Sequence, residues 1–235
     1  MNSASIQLDP LNSPHPIPWN WVTAMVFGQP QPDATQCFYR SPSLISPDGR
    51  YAAYSRIQVQ LADHFLQARV SSVLFLENLE TGSLQTLLAA SPFAENPFKV
   101  KQGIHTEDAS TQPGTIAVLI PIAWSEGGDR LLAREFESFF GSDLASDFAV
   151  VWDRHSNETY TLSPSQIHYT NAILMGWSQV NPDQVLFQAG VMGVENWPFY
   201  TVNLRGETAI ALADQPVTYG STMNHVWAGP QASVC

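Results

Sequence analysis

The chain has 235 residues, of which 44% are hydrophobic and 13% charged, a composition that predicts one folded domain, or at most two small ones, and argues against disorder. Its 21 acidic and 10 basic residues give a formal net charge of −11, and ten of the acids lie between residues 101 and 160, so a nucleic acid partner is not expected. The 17 prolines and 14 glycines are spread along the chain, which is typical of a turn-rich, all-β protein.

The first predicted element is an extended, proline-rich N-terminal arm, residues 1–18. It has neither a basic n-region nor an apolar h-region, and no later run approaches the roughly 20 apolar residues of a membrane span. Cys37 and Cys235 lie at opposite ends of the chain without paired spacing, which is compatible with a reducing compartment. We therefore expect a cytoplasmic protein with no membrane span and a single domain over residues 19–235.

The segment LISPDGRYAAYSR, residues 44–56, places a polar turn between two alternating apolar runs, which predicts a β-hairpin. The same pattern starts at Ser125 in IPIAWSEGGDRLLAREF and at Ser178 in ILMGWSQVNPDQVLFQA, where Asp183 is expected to serve the turn. A second hairpin follows each copy, at residues 72–88, 148–164 and 198–214. The sequence therefore predicts three repeats of four strands, over residues 40–90, 114–165 and 170–214.

The Ser-Pro-Asp-Gly turn, followed by a hairpin that closes with Gly-x-x-x-x-Leu, resembles the TolB-type, WD40-like β-propeller repeat over residues 40–214. Trp124 and Trp177 supply the Trp-Ser pair that is usual in that family. The resemblance implies a small, propeller-like array of four-stranded antiparallel blades, and the composition is similar to that of short cyanobacterial proteins with such repeats. It implies no particular activity, because this architecture carries unrelated functions.

Residues 91–113 are predicted to be an insertion loop, because the three copies start 79 and 53 residues apart. Three blades are too few for a ring, which uses about four to eight. WNWVTAMVFG and TQCFYR near the start and QPVTYGSTMNHVWAG at the end are therefore expected to pair as a composite fourth blade. The alternative is an open array that a partner or a second copy of the chain completes.

Three long links join the second and third strands of the repeats, at residues 58–70, 136–147 and 188–197. Equivalent loops of a propeller emerge on one face, where large apolar groups beside acids such as Glu195 are typical of a protein interface. The predicted partner-binding residues are Phe65, Leu66, Phe136, Phe139, Phe140, Asp143, Asp147, Met192 and Trp197.

The predicted function is a non-enzymatic interaction module, an assembly factor or a subunit of a larger complex, because the sequence has no nucleophile elbow, phosphate loop or dinucleotide fingerprint. The six histidines have no short metal-ligand spacing, so neither a metal nor a cofactor is expected. The acidic residues Glu135, Glu137, Asp143 and Asp147 are interpreted as a solvated rim. Two alternatives stay open: a metal-dependent hydrolase that uses these acids, and a ligand-binding propeller with Trp124, Trp177 and Tyr160 in its channel.

Overall fold

The computed structural model describes residues 9–28, 35–91, 93 and 112–231. Within these ranges the fold is all-β, with two sheets that do not close into a barrel and one α-helix, α1 (Trp19–Phe27). Residues 1–8 of the predicted arm and nearly all of the predicted insertion loop lie outside the described residues.

Strand β1 (Gln36–Arg40) precedes three antiparallel meanders of four strands each. The first meander contains β2 (Ser43–Ile45), β3 (Tyr51–Gln60), β4 (Arg69–Asn78) and β5 (Leu84–Leu87). The second contains β6 (Thr115–Trp124), β7 (Arg130–Phe139), β8 (Ala145–Asp153) and β9 (Glu158–Leu162). The third contains β10 (Asn171–Ser178), β11 (Val185–Gly190), β12 (Phe199–Val202) and β13 (Thr208–Ile210). The predicted strand count of each repeat is confirmed.

The two sheets divide the meanders unequally. A single parallel pairing, Val70 opposite Ile116, joins β4 to β6 and so unites the first and second meanders in one sheet of eleven strands. The third meander belongs to the second sheet, which has five strands. The larger of two buried hydrophobic clusters draws on both sheets, with Leu132 and Phe136 from the second meander and Leu174 and Phe187 from the third.

Each repeat is marked by a serine whose hydroxyl donates a hydrogen bond to an aspartate. Ser46 donates to Asp48 at 2.6 Å and Ser125 donates to Asp129. In the first two repeats the serine and the aspartate therefore belong to the same turn. In the third repeat Ser178 donates to Asp214, which follows β13. Asp183 lies in this turn as predicted, but its side chain is 86% exposed and pairs with Arg130 instead of Ser178.

Three short strands follow the third meander: β14 (Pro216–Val217), β15 (Ser221–Met223) and β16 (Gly229–Gln231). Alternate residues of this C-terminal segment pair with the residue before each marker serine. Val217 lies opposite Trp177, Tyr219 lies opposite Trp124, and Ser221 lies opposite Ile45. One extended segment therefore crosses all three repeats, and every second residue of the segment pairs with the next repeat.

The two ends of the chain meet at β1, which pairs with both β3 and β16. Of the predicted C-terminal segment, residues 215–229, only Gly229 pairs with TQCFYR, whereas β14, Tyr219 and β15 pair with the three repeats, so the composite fourth blade is not confirmed. The prediction of a strand in WNWVTAMVFG is wrong, because this segment is α1. Trp19, Val22 and Val26 follow helical spacing and all pack against the larger cluster, and Pro18 accepts the first amides of the helix.

The N-terminal segment is tied to both sheets through Arg134, which is fully buried. The guanidinium donates to Asp9 Oδ2 at 2.7 Å and to Asp147 Oδ1 at 2.8 Å, and it also donates to the carbonyl of His15. Asp147 accepts from the amide of Leu174 in β10, and the ring of His15 contacts the carbonyl of Met175 at 3.0 Å. The N-terminal segment, the second meander and the third meander thus share one buried ionic cluster.

The tryptophans before the second and third marker serines differ in one hydrogen bond. The indole N–H of Trp124 donates to the carbonyl of Leu44 in the first meander at 3.2 Å. The indole N–H of Trp177 is buried and has no acceptor among the described residues. A buried donor without an acceptor costs about 1–3 kcal/mol, so the two tryptophans should contribute unequally to stability.

We predict that Arg134→Met lowers the free energy of unfolding by about 3–5 kcal/mol, because it leaves two carboxylates in a buried site without their cation. Urea denaturation of the full chain measures the loss. The control is Arg154→Met, whose ion pair with Asp48 is partly solvated and should cost about 1 kcal/mol or less. Similar losses in the two variants would show that the buried cluster contributes no more to stability than a partly solvated ion pair.

We also predict that Trp124→Phe destabilises the protein by about 1 kcal/mol more than Trp177→Phe. Both substitutions remove similar apolar volume from a buried site, but only the first breaks a hydrogen bond that the structure contains. Paired urea titrations of the two variants give the difference. A larger loss for Trp177→Phe would mean that its indole N–H has an acceptor in solution.

Candidate functional site

The three predicted links are shorter than their predicted bounds, because the strands that flank them run further. The first link spans residues 61–68 and contains a 3₁₀ turn at Phe65–Gln67. The second spans residues 140–144, since β7 continues to Phe139, and the third spans residues 191–198. We call these three segments the first, second and third link.

Contacts join the links across one end of the molecule. Ala68 accepts from the amide of Gly114, and the carbonyl of Gly114 accepts from the amide of Phe140, which connects the first link to the second. A Cβ atom built on Gly141 would lie 2.7 Å from the side chain of Leu66, so these two links are in close contact. The prediction that the loops of the first two repeats share a face is therefore correct.

The third link joins the same face through the start of β10. The side-chain amide of Asn171 donates to the carbonyl of Ala145 at 2.7 Å, and the amide of Met192 donates to the hydroxyl of Thr170 at 2.9 Å. Met192 and the second link also line a common cavity, described below. All three links consequently form one continuous surface, which we call the loop face.

Helix α1 adds a fourth component that the sequence analysis missed. The ring of Phe27 lies 5.3 Å from that of Phe65 and 6.4 Å from that of Phe140. A cavity of about 270 Å³ opens beside it, with Leu11 and Trp19 on one side and Phe139, Asp143 and Met192 on the other. The helical spacing of Trp19, Val22 and Val26 was the signal that could have predicted α1 and its position.

Large apolar side chains stay exposed on the loop face, between 44% and 63% of their surface. We call them the loop-face patch; its members are Phe27, Leu66, Leu144, Met192 and Val194. Exposed acids stand beside them, one on each link: Asp63, Asp143 and Glu195. Leu66 and Met192 were predicted to bind a partner, whereas Phe27, Leu144 and Val194 were not.

Three of the predicted partner-binding residues are buried, and their prediction is corrected. Phe136 is a strand residue of β7, and its ring centroid lies 6.3 Å from that of Trp19. Asp147 is fully buried beside Arg134. Phe140 is 7% exposed under Phe27. These residues support the loop face from beneath and do not present a side chain to a partner.

Three further predicted residues are held by their own surroundings. Phe139 is half-buried against Phe93, with ring centroids 4.7 Å apart. The indole N–H of Trp197 donates to the carbonyls of Val191 and Val194, so this side chain closes the third link on itself. Phe65 is half-buried between His64 and Phe27.

The predicted acidic rim is divided by the sheet. Phe136 lies opposite Asp147 in the register of β7 and β8, so Asp147 shares a side with Arg134, whereas Glu135 and Glu137 point to the other side. Glu135, Glu137 and Asp147 are buried, and Asp143 alone of the four is exposed. The interpretation of a solvated rim is therefore wrong for three of the four residues, and the described residues contain no group of three or more potential metal ligands.

Burial dominates the ionisation of these carboxyls. It raises the pKa of Glu135 well above its usual value of 4.5, and the nearby charges of Glu137 and Asp147 raise it further. One oxygen of Glu135 is buried with no hydrogen-bond partner among the described residues. Burial also raises the pKa of Asp147 to about 6, against the opposing effects of Arg134 and the Leu174 amide. Glu137 is held differently, because Ser91 and the amide of Phe93 donate to its carboxylate.

The two tryptophans expected in a ligand channel lie in different surroundings. A cavity of about 310 Å³ at the junction of the termini is lined by Pro14, Ile17, Tyr39 and Ile120. Trp124 is fully buried, and Trp177 lines a separate cavity of about 240 Å³ between the second and third marker turns.

Comparisons with known proteins return no relative: no family model matches the chain, and no curated protein matches it. Within the part of the chain that the structure describes, no helix is long and apolar enough to cross a membrane.

We predict that the free energy of unfolding falls as the pH rises from the usual pKa of a glutamate, because folding then requires Glu135 to stay protonated. The folded-state pKa of Glu135 is raised, so the contribution of this group to stability is complete below the usual pKa of a glutamate. That contribution is lost as the pH rises from there through the folded-state pKa. One such group gives a slope of up to about 1.4 kcal/mol per pH unit. Urea titrations at several pH values should show a smaller slope for Glu135→Gln than for the wild type, and equal slopes in the two proteins would contradict the prediction.

Proposed function

We propose that this chain is a non-enzymatic protein-interaction module, an assembly factor or a subunit of a larger complex. Its three repeats serve as a small, propeller-like scaffold, and the loop face binds a protein partner. The observation that supports this proposal best is the loop-face patch, in which five large apolar side chains from α1 and the three links stay exposed. Two of them, Phe27 and Met192, line the cavity of about 270 Å³.

The character of the surface supports a partner of protein size. Contiguous exposed apolar patches on a folded domain, rimmed by polar groups, mark interaction sites. The patch combines flexible Met and Leu side chains with an aromatic side chain, Phe27, and Phe27 and Met192 both line the cavity. Buried groups beneath it, Phe136 and Phe140, hold the links in place, so little ordering accompanies binding.

The carboxylates support no enzymatic role. Hydrolysis by paired carboxylates requires two groups that face one cleft. Here Glu135 and Asp147 point to opposite sides of β7 and β8, and Glu137 is engaged by Ser91 and Phe93. We therefore assign function to the apolar loop face and not to the acidic residues.

The proposal predicts that Leu144→Asp with Met192→Asp removes a specific partner from the protein when it is purified by affinity from its native cells. Both positions are exposed, so the double variant should keep the wild-type urea midpoint. The control variant, Val180→Asp with Leu212→Asp, carries the same change on exposed residues away from the links. Quantitative mass spectrometry should show one protein reduced about tenfold or more in the loop-face variant alone. Equal recovery with both variants would overturn the proposal.

A further inference from the structure

We infer that the partner segment which docks on the loop face is basic and amphipathic, with lysine or arginine beside its apolar side chains. This inference rests on the proposed function and specifies the chemistry of the partner. It is carried by the charges around the loop-face patch and by where the chain places its own cations.

The three links carry charge of one sign. Asp63, Asp143 and Glu195 are exposed, one on each link, and the links contain no lysine or arginine. Asp143 lines the cavity next to Met192, whose neighbours Val194 and Glu195 lie on the same short link. Each apolar anchor of the links therefore has a carboxylate within a few residues of it.

Several arginines of the described residues pair with carboxylates outside the links. Arg134 is buried with Asp9 and Asp147. At the marker turns Arg130 pairs with Asp153 and Asp183, and Arg154 pairs with Asp48. Arg69, which begins β4 just after the first link, also has an interaction partner of its own. The carboxylates of the links thus face solvent without a described ion pair, whereas those of the marker turns are paired.

This arrangement favours a cationic partner over the alternatives. An acidic peptide, a nucleic acid or an anionic membrane surface would meet three like charges in addition to the net charge of −11. A purely apolar partner would cover the cavity and leave the three carboxylates beside a dry surface without compensation. A segment that has apolar groups for the cavity and cations for the rim satisfies both requirements, as in interfaces with complementary potentials.

The probe for this inference is a synthetic amphipathic peptide of leucine and lysine, labelled with a fluorophore, and the same peptide with glutamate in place of lysine. Fluorescence anisotropy with the full chain measures both affinities at low and high salt. We expect the lysine peptide to bind at least about tenfold more tightly than the glutamate peptide, and to weaken as salt screens the rim over about 10 Å or less.

Charge-neutralising variants locate the binding. The triple variant Asp63→Asn, Asp143→Asn and Glu195→Gln should weaken the lysine peptide about tenfold, because it removes three rim charges while leaving the apolar patch intact. The matched control, Glu80→Gln, Glu126→Gln and Glu207→Gln, neutralises three exposed carboxylates that lie outside the links and should bind like the wild type. Leu144→Asp with Met192→Asp should also weaken the lysine peptide.

Equal affinity for the two peptides, or equal weakening by the triple variant and its control, would overturn the inference. The outcome is separable from that of the proposed function. If the loop-face variant loses its cellular partner while the peptides bind equally, the partner is real but is not basic. If the loop-face variant keeps every partner, the proposed function fails whatever the peptides do.

Discussion

The buried guanidinium of Arg134 is the interaction on which the arrangement of this protein depends. It lies between Asp9 of the N-terminal segment and Asp147 of β8, and Asp147 in turn accepts an amide of β10. Removing these charges from water is expensive, and the cost is offset only while all the partners stay in place. The cluster therefore couples the docking of the N-terminal segment to the packing of the second and third meanders, and this segment leads directly into α1.

Both ends of the chain act on the same repeats from different positions. The C-terminal segment pairs with the residue before each marker serine, whereas the N-terminal segment reaches the ionic cluster and places α1 beside the links. The marker turns are saturated by Ser–Asp hydrogen bonds and by arginine ion pairs. These polar groups stabilise the turns, whereas the links lie at the opposite ends of the strands.

Sequence reasoning succeeded where a local pattern has one structural solution. The predicted second hairpins at residues 72–88, 148–164 and 198–214 are confirmed, and Gly82, Asn157 and Gly206 adopt the positive φ that their turns require. It failed where burial decides. Phe136 and Asp147 sit at the end of β7 and the start of β8, and strand ends are set by how far neighbouring strands pair. Because side chains alternate between the two faces of a sheet, both residues are buried. The same alternation places Asp147 and Glu135 on opposite faces, although the sequence suggested one acidic group.

By itself the sequence determined the all-β class, the three repeats of four strands and the position of three variable links, because these follow from period-two alternation and turn chemistry between neighbouring residues. Tertiary structure alone decided that Asp214 accepts the hydrogen bond of Ser178 at the third marker turn, that α1 joins the loop face, and that Arg134 pairs with Asp9, 125 residues away. These outcomes depend on contacts between distant segments, and no local pattern encodes which distant carboxylate or ring will fill a given buried site.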